Sequence, residues 1–409
     1  MAARSGAGPS PLRRALRRSE FRRLFLAQTI SRWGDTFNAI ALVVLVYRLT
    51  GSGLTVAVTA GIEVAAVLLL GLVAGAVVDR RSRKAVMVAA DLGRALVALG
   101  LVAGQDHLWA VYAGAFGLAG FSVFFNPAAA SVVPAVVAPE DVVGANAGLW
   151  SAAVLSQIVL APVAGGLVAL AGPGPAFGLN AASFVVSALL LVGLRLPGRV
   201  APVAGRRLGA AAEGLRAVRA SRLLSTLAGV QALAALSAGA TSALLVVLAE
   251  RHLDVGAARF GWLLGAIGVG AGVGPLVLQR LVPDVRRPAF LFGPYVLRGL
   301  VDWVLAAVSS FPVAAGALAL YGVGTSTGTV TYQTTLQGAV PDRLRGRVFS
   351  LYDVVWQSMR LVSIGAGGVL ADTLGIRAVY ALGGLLLLAA GALGLARRPD
   401  LAAPVAERA

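Results

Sequence analysis

Residues 75–84 read Gly75-Ala76-Val77-Val78-Asp79-Arg80-Arg81-Ser82-Arg83-Lys84, and they separate two long apolar stretches near residues 54–78 and 85–104. Each stretch has at least the roughly 20 apolar residues that an α-helix needs to cross the hydrocarbon core of a bilayer. The link between them is short and carries one acid and four basic residues. A basic link between two apolar helices predicts a membrane hairpin whose turn lies in water.

The same alternation of apolar spans and short polar links extends over all 409 residues. The chain is 58% hydrophobic and 13% charged, whereas soluble domains have about 45–50% apolar and about 25% charged residues. The spans show no period-two alternation, which argues against a membrane β-barrel, and open strands would leave unpaired edges in lipid. We therefore expect an all-α polytopic membrane protein with twelve transmembrane helices. The predicted spans lie near residues 24–48, 54–78, 85–104, 108–132, 144–170, 175–194, 223–249, 258–280, 289–308, 312–338, 348–371 and 376–395.

The basic residues predict the orientation of the chain. The net charge of +17 would suit a nucleic-acid-binding protein if the arginines clustered on one folded domain. Instead, 27 of the 35 basic residues fall in the tails and links that share one side of the membrane with the N-terminus, and only 4 fall in the opposite links. Cytoplasmic segments carry such an excess. We expect both termini in the cytoplasm, a multi-pass protein of the cell membrane, and no nucleic-acid partner.

The longest polar stretch divides the spans into two sets of six. The expected organisation is a basic cytoplasmic tail over 1–23, an N-terminal six-helix bundle over 24–194, a cytoplasmic linker over 195–222, a C-terminal six-helix bundle over 223–396 and a cytoplasmic tail over 397–409. Within the linker, residues 206–219 suit either a short basic amphipathic helix on the membrane surface or a solvated connection.

The two sets of six spans are expected to be repeats. At a shift of 202 residues, the Pro-acid-x-x-x-Gly pattern of residues 139–144 matches that of residues 341–346, and Ala164-Gly165-Gly166 matches Ala366-Gly367-Gly368. With six helices in each repeat, both halves enter the membrane from the same side. Parallel repeats of this kind are related by an axis along the membrane normal and enclose a substrate site near the midplane.

The opening segment, residues 75–84, resembles the major facilitator signature between the second and third helices, Gly-x-x-x-Asp-Arg-x-Gly-Arg-Arg/Lys, with Ser82 at the position of the second glycine. In the family this cluster latches one of the two transport states, so the resemblance implies a gate at this loop. A carboxylate there can accept hydrogen bonds from a helix N-terminus and pair with arginine. The gating residues implied by the resemblance are Gly75, Asp79, Arg80, Arg83 and Lys84, extended by Asp91 and Arg94.

The fifth span resembles the antiporter signature of the same superfamily, Gly-(x8)-Gly-(x3)-Gly-Pro-(x2)-Gly-Gly. Proline kinks a helix, and small residues allow close helix contact. The matching positions are Gly148, Gln157, Pro162, Gly165 and Gly166, with Gln157 and the alanine before Pro162 in place of two glycines.

Three further segments are similar to one branch of the superfamily, the twelve-helix drug:proton antiporters that include macrolide efflux pumps and siderophore exporters. They read Ile30-Ser31-Arg32-Trp33-Gly34-Asp35, Tyr47-Arg48-Leu49-Thr50-Gly51-Ser52 and Arg345-Gly346-Arg347-Val348-Phe349-Ser350. The resemblance covers about residues 20–398. It implies the major facilitator fold and proton-coupled efflux of a lipophilic drug, antibiotic or siderophore-like metabolite by alternating access.

Charged residues within the predicted spans are candidates for function, because each costs about 2.5–3.5 kcal/mol to insert at the centre of a membrane helix. Some have an opposite charge one turn away and suit structural ion pairs equally well. Glu63 has no such neighbour, and an unpaired carboxyl at this depth favours its protonated form. We therefore expect Glu63, together with Asp35, to carry the coupling proton. The possible intramembrane ion-pair residues are Arg32, Asp35, Asp91, Arg94, Arg298, Asp302, Asp353 and Arg360.

A substrate cavity is expected to be apolar and aromatic with a few polar groups. The aromatic residues among the candidates suit packing or interfacial anchoring as well as ligand contact. The candidates are Asn38, Trp150, Gln157, Tyr332, Gln333, Trp356 and Gln357.

Two other functions fit parts of the pattern. The same fold serves a uniporter or an importer of a metabolite, and a membrane-embedded enzyme is a more remote alternative. The chain has no cysteine and only two histidines, His107 and His252, which argues against metal sites and thiol chemistry. It has no Walker-type loop for ATP. We expect a monomeric transporter without cofactor or metal, whose partners are the lipid bilayer, a small-molecule substrate and protons.

Overall fold

The computed structural model of the protein describes residues 10–196, 209–281 and 287–397, and the secondary structure in these ranges is helical. Besides a 3₁₀ turn at Pro139–Asp141, the α-helices are α1 (Pro11–Arg17), α2 (Ser19–Thr50), α3 (Gly53–Arg80), α4 (Arg83–Gly104), α5 (Leu108–Val136), α6 (Val142–Ala171), α7 (Gly174–Val192), α8 (Gly209–Ala220), α9 (Arg222–Ala243), α10 (Leu245–Arg251), α11 (Ala257–Leu281), α12 (Pro288–Ala307), α13 (Phe311–Ala339), α14 (Asp342–Thr373) and α15 (Ile376–Arg397).

The predicted spans coincide with these helices, apart from three differences. α2 and α14 begin five and six residues before the predicted spans because polar and basic turns extend them. The seventh predicted span is two helices, α9 and α10, which meet at Leu244. Leu244 leaves the helical conformation at φ −99° and ψ 14°, so α10 starts a new turn.

Eleven of the described helices are long and apolar enough to cross a membrane. α2 is not one of them, because its 32 residues include charged side chains such as Arg32 and Asp35. At about 1.5 Å per residue, α2 is nevertheless longer than the bilayer core. With α2 as the first, these helices account for the twelve predicted spans.

The chain forms two compact units. The described residues of Met1–Leu42 and Ala65–Val203 form the first unit, and those of Val43–Val64 and Ala204–Ala409 form the second. The end of α2 and the start of α3 thus belong to the second unit.

Each unit has a short amphipathic helix docked on a long one. In the first unit, α1 lies within the predicted tail, and its Arg14 forms an ion pair of 2.7 Å with Asp141 at the start of α6. In the second unit, α8 lies within the predicted linker and pairs Glu213 with Arg347 of α14. Val218 of α8 also joins the buried apolar core, so one face of α8 packs on protein.

Small residues bring long helices into close contact, as is common in membranes. α11 and α13 approach so closely that a Cβ added at Gly270 or Gly322 would collide with carbonyl oxygens of the facing helix. Gly316, by contrast, has open space where its Cβ would lie. The glycine content therefore includes both close-packing and unconstrained positions.

Candidate functional site

The loop with the predicted gating signature is a tight two-residue turn between α3 and α4. α3 ends at Arg80 and α4 begins at Arg83. Ser82 adopts an extended conformation and accepts a hydrogen bond from the backbone of Ala85, so it acts as the N-cap of α4. Serine is among the best N-cap residues, which explains why glycine is not required here. Arg83 donates to the carbonyl oxygen of Ser131 at 3.2 Å.

The other predicted gating residues on α3 and α4 differ in their exposure. Gly75 has open space around its Cβ position, and Arg80 is exposed. Lys84 is half-buried. The side chain of Asp79 lies outside the described part of the structure, so its predicted contacts stay a prediction.

The helix with the predicted antiporter pattern is α6, and Pro162 lies inside it. At Gly148, an added Cβ would collide with the side chain of Leu12, so this glycine accommodates α1. Gly165 is buried, whereas Gly166 has open space. Gln157 is half-buried and Trp150 is exposed.

The first unit contains a buried ion pair between Asp91 and Arg94, one helical turn apart on α4. The second carboxylate oxygen of Asp91 accepts a hydrogen bond of 2.6 Å from Ser187 of α7. The Arg94 guanidinium lies 4.3 Å from the ring centroids of both Phe125 and Phe184. Both charges therefore have defined partners, as burial of ions requires.

Asp35 lies half-buried near this ion pair, and it interacts electrostatically with Arg94 and with Arg32. The Arg32 side chain is exposed and does not form a direct ion pair with Asp35 in this described region. The side-chain oxygen of Asn38, one turn further along α2, is buried without a hydrogen-bond partner.

The polar face of α7 was not among the residues predicted from the sequence. An added Cβ at Gly34 would collide with Ser183 and lie 2.5 Å from the amide oxygen of Asn180, which shows how closely α2 and α7 approach. Asn180 is fully buried, and within the part of the chain that the structure describes neither of its amide atoms has a hydrogen-bond partner. The spacing Asn180, Ser183, Ser187 follows the i, i+3, i+7 periodicity of one helix face and was the available signal.

In the second unit, Glu63 has a cationic partner that the sequence did not indicate. Arg360 of α14 interacts electrostatically with Glu63, and the two described side chains do not form a direct ion pair. α3 and α14 are adjacent here, as a distance of 3.7 Å from a Cβ added at Gly61 to the Leu361 side chain shows. Asp353, seven residues before Arg360, is exposed.

The second unit also contains a cavity of about 300 Å³ between α9, α12, α13 and α14. Three of the predicted cavity residues line it, Tyr332, Gln333 and Trp356, whereas Gln357 does not. Arg298, predicted as an ion-pair residue, is also a lining residue.

The predicted pair of Arg298 and Asp302 is not a direct contact. Arg298 instead donates from Nη2 to the hydroxyl oxygen of Tyr321 at 2.8 Å. Asp302 accepts a long hydrogen bond of 3.4 Å from Ser237, and its Oδ1 has no hydrogen-bond partner. The two charges still interact electrostatically.

A second polar cluster joins the start of α3 to the end of α14. The Asp372 carboxylate accepts hydrogen bonds from Ser52 Oγ at 2.6 Å, from the Gly53 amide at 2.8 Å and from the Leu54 amide at 3.0 Å. Arg251 pairs with the same carboxylate at 3.3 Å. Asp372 therefore caps α3 from 319 residues away, a contact that no local sequence pattern indicates.

His252 follows α10 in the loop before α11. Burial and the nearby charge of Arg377 lower the pKa of His252, and a hydrogen bond that its ring donates to the backbone of Val308 opposes this in part. Its Nε2 is buried without a partner.

Comparisons with known proteins agree with this fold. The sequence profile of the family described as "Transmembrane secretion effector" matches residues 10–404. The chain is 26% identical over 390 residues to the uncharacterized MFS-type transporter YfiS of Bacillus subtilis, covering 91% of each chain. It is 28% identical over 374 residues to the enterobactin exporter EntS of Escherichia coli, covering 87% of this chain and 85% of EntS.

Solved structures show the same fold. A bacterial homologue of the iron transporter ferroportin, in an inward-facing state, superposes with a TM-score of 0.76 at 18% identity, covering 92% of this chain and 98% of that chain. A bacterial homologue of the human lysosomal transporter Spinster gives a TM-score of 0.72 at 14% identity, covering 92% and 96% of the two chains. The chain is therefore a multi-pass membrane transporter of the major facilitator superfamily and belongs to the transmembrane secretion effector family, not to an enzyme family.

Proposed function

We propose that the protein exports a lipophilic small molecule, such as a drug, an antibiotic or a siderophore-like metabolite, in exchange for protons. The proposal includes alternating access by a monomer whose two termini lie in the cytoplasm. The relationship to a siderophore exporter supports export as the direction of transport.

The observation that carries the proposal is the environment of Glu63. Its cationic partner, Arg360, is within electrostatic range but does not form a direct ion pair with it. Asp91, by contrast, forms a direct ion pair with Arg94. Glu63 has a cation within electrostatic range but no direct ion pair, so in this proposal it alternates between its charged and its protonated form.

Asp35 is proposed as the second proton carrier, in the first unit. Its electrostatic partners are Arg94, which is already paired with Asp91, and the exposed Arg32. A proton entering or leaving Asp35 therefore changes the charge balance of a buried cluster. Asp79 and its basic neighbours are proposed to latch the loop between α3 and α4, and the Pro162 helix to move during exchange.

A susceptibility panel tests the proposal. The protein is expressed in a bacterial strain that lacks its main efflux pumps, and growth inhibition is measured for lipophilic antibiotics, dyes and siderophore-like chelators. We expect the wild-type protein to give several-fold resistance to at least one compound, and collapse of the proton gradient to remove it. Glu63→Gln should abolish the resistance because glutamine cannot release a proton.

Glu140→Gln is the matched control, because Glu140 is an exposed carboxylate at the 3₁₀ turn before α6. It should retain the wild-type resistance. Normal membrane insertion with no resistance to any compound would contradict drug efflux. Resistance that survives collapse of the proton gradient would indicate that protons do not drive the export.

A further inference from the structure

The cavity of the second unit has a single charged residue in its lining, Arg298, and the lining residues, all in the described part of the chain, include no acid. The other side chains are mainly tyrosines, threonines, glutamines and one tryptophan. A lining of this composition offers one positive charge, several hydrogen-bond donors and aromatic faces to a ligand.

Arg298 is held at the cavity by close helix packing. Its side chain is 8% exposed, and a Cβ at Gly324 of α13 would lie 2.8 Å from its Cγ. The glycine thus makes room for the stem of the arginine. The guanidinium carbon lies 4.7 Å from the centre of the Tyr321 ring, so the position of the charge is fixed by both a ring and a hydrogen bond.

The protein satisfies this buried cation only in part. One guanidinium nitrogen donates to Tyr321, whereas Nε has no hydrogen-bond partner among the described residues. The nearest carboxylate, Asp302, acts on Arg298 electrostatically without a direct contact. Burial of a cation is costly unless it is paired and hydrogen-bonded, so the arrangement favours an anionic ligand.

The neighbouring hydroxyl groups extend the same preference. Tyr295 lines the cavity one turn before Arg298, and the hydroxyl of Tyr332 is buried without a partner among the described residues. Guanidinium and phenolic hydroxyl groups together suit the oxygens of a carboxylate. Trp356 and the tyrosine rings suit an aromatic or other lipophilic body.

We propose that this cavity binds the carboxylate of an amphipathic organic acid, with Arg298 as its charge partner. This inference rests on the proposed transport function and names its substrate class. A volume of about 300 Å³ lies at the lower end of the range for small-molecule sites. It therefore holds the carboxylate and the adjacent ring of a substrate.

A matched pair of fluorescent probes tests the proposal on the purified full-length protein in detergent. Dansylglycine carries a carboxylate, and dansylglycinamide has the same aromatic body without the charge. Binding is measured by dansyl fluorescence without any ion gradient. We expect the acid to bind at least about tenfold more tightly than the amide, the size expected for one charge-assisted hydrogen bond.

Arg298→Gln should lower the affinity for the acid to that of the amide and leave the affinity for the amide unchanged. Arg298→Lys should restore part of the preference, because it keeps the charge without the planar donor set. The matched control is Arg259→Gln, an exposed arginine of α11 that does not line the cavity. It should bind both probes like the wild-type protein.

Folding of each variant is checked by its thermal unfolding, and Tyr332→Phe is a milder variant that removes a cavity hydroxyl and should weaken binding of the acid only. Equal binding of both probes by the wild-type protein, or binding of neither, would overturn the proposal. An equal loss of affinity for both probes in Arg298→Gln would also overturn the proposal. Failure of proton exchange with the carboxylate preference intact would overturn the proposed coupling and leave this substrate class standing.

Discussion

Replacing Asp372 by asparagine should destabilise the second unit by about 2 kcal/mol. Oδ1 of Asp372 accepts from the Gly53 amide and from Arg251, and Oδ2 accepts from Ser52 and from the Leu54 amide. An asparagine has one acceptor oxygen, so it keeps at most one of these two pairs. Its NH₂ group then faces at least one backbone donor of α3.

The magnitude follows from what is lost. Gly53 is buried, so an unsatisfied amide there costs about 1–3 kcal/mol. The ion pair with Arg251 is partly exposed, with side-chain exposures of 38% and 29%, so its loss adds only about 0.2–1 kcal/mol. For a unit of this size, the sum corresponds to a fall in unfolding temperature of about 4–8 °C.

The assay is thermal unfolding of the purified protein in detergent, followed by tryptophan fluorescence. Arg251→Gln should cost less than Asp372→Asn, because it removes the partly exposed pair and keeps the cap. The matched control is Asp254→Asn, the same substitution at an exposed residue with φ of 50°, a conformation that asparagine tolerates well. An unfolding temperature for Asp372→Asn within error of the control would refute the assignment of Asp372 as the cap of α3.

Three further predictions have definite expected outcomes. Gly322→Ala should lower the unfolding temperature because its Cβ would collide with α11, whereas Gly316→Ala on the same helix should be neutral or stabilising by up to about 1 kcal/mol. Ser187→Ala should cost about 1–2 kcal/mol in thermal unfolding, because the buried Asp91 loses a hydrogen bond of 2.6 Å. The pKa of His252 is lowered below its usual 6.5, so the folded state favours the neutral imidazole. The free energy of unfolding therefore falls as the pH drops below 6.5. His252→Gln should reduce this acid sensitivity of the unfolding temperature.

Each of these predictions has a result that contradicts it. Equal unfolding temperatures for the two glycine variants would mean that α11 and α13 separate easily. An unchanged unfolding temperature in Ser187→Ala would mean that the hydrogen bond from α7 to Asp91 does not stabilise the fold. Acid sensitivity equal to wild type in His252→Gln would place the titrating group elsewhere.

The helices were predictable because membrane insertion constrains sequence strongly. A bilayer requires about 20 apolar residues for each crossing, so the apolar spans predicted α3 to α7, α11 to α13 and α15 to within a few residues. The break at Leu244 was not predictable, because Leu244 is apolar and ordinary in helices. The residues Leu245–Ala249, which follow the break in α10, are all buried.

The site was predictable where charge stands out against an apolar background. Asp91 and Arg94 pair as their one-turn spacing suggested, and Tyr332, Gln333 and Trp356 share one cavity. Partners from distant helices were not predictable. The spacing of Arg298 and Asp302 suggested an ion pair, yet Arg298 instead donates a hydrogen bond to Tyr321 on the neighbouring helix.

The same limit applies to contacts across long sequence separations. Arg360 interacts electrostatically with Glu63, although the two residues are almost 300 positions apart in the sequence. Single-sequence periodicity describes one helix at a time, so it reports which face is polar and not which helix faces it.

The most direct test of the central claim is substrate-driven proton movement in everted membrane vesicles, with the compound that gives the largest resistance in the susceptibility panel. The wild-type protein and Glu140→Gln should both couple addition of this compound to a change in internal pH. The variants Glu63→Gln and Asp35→Asn should each lose most of that change, while amounts of protein in the membrane stay equal. Unchanged proton movement in both variants would contradict the assignment of these two carboxylates as the proton carriers.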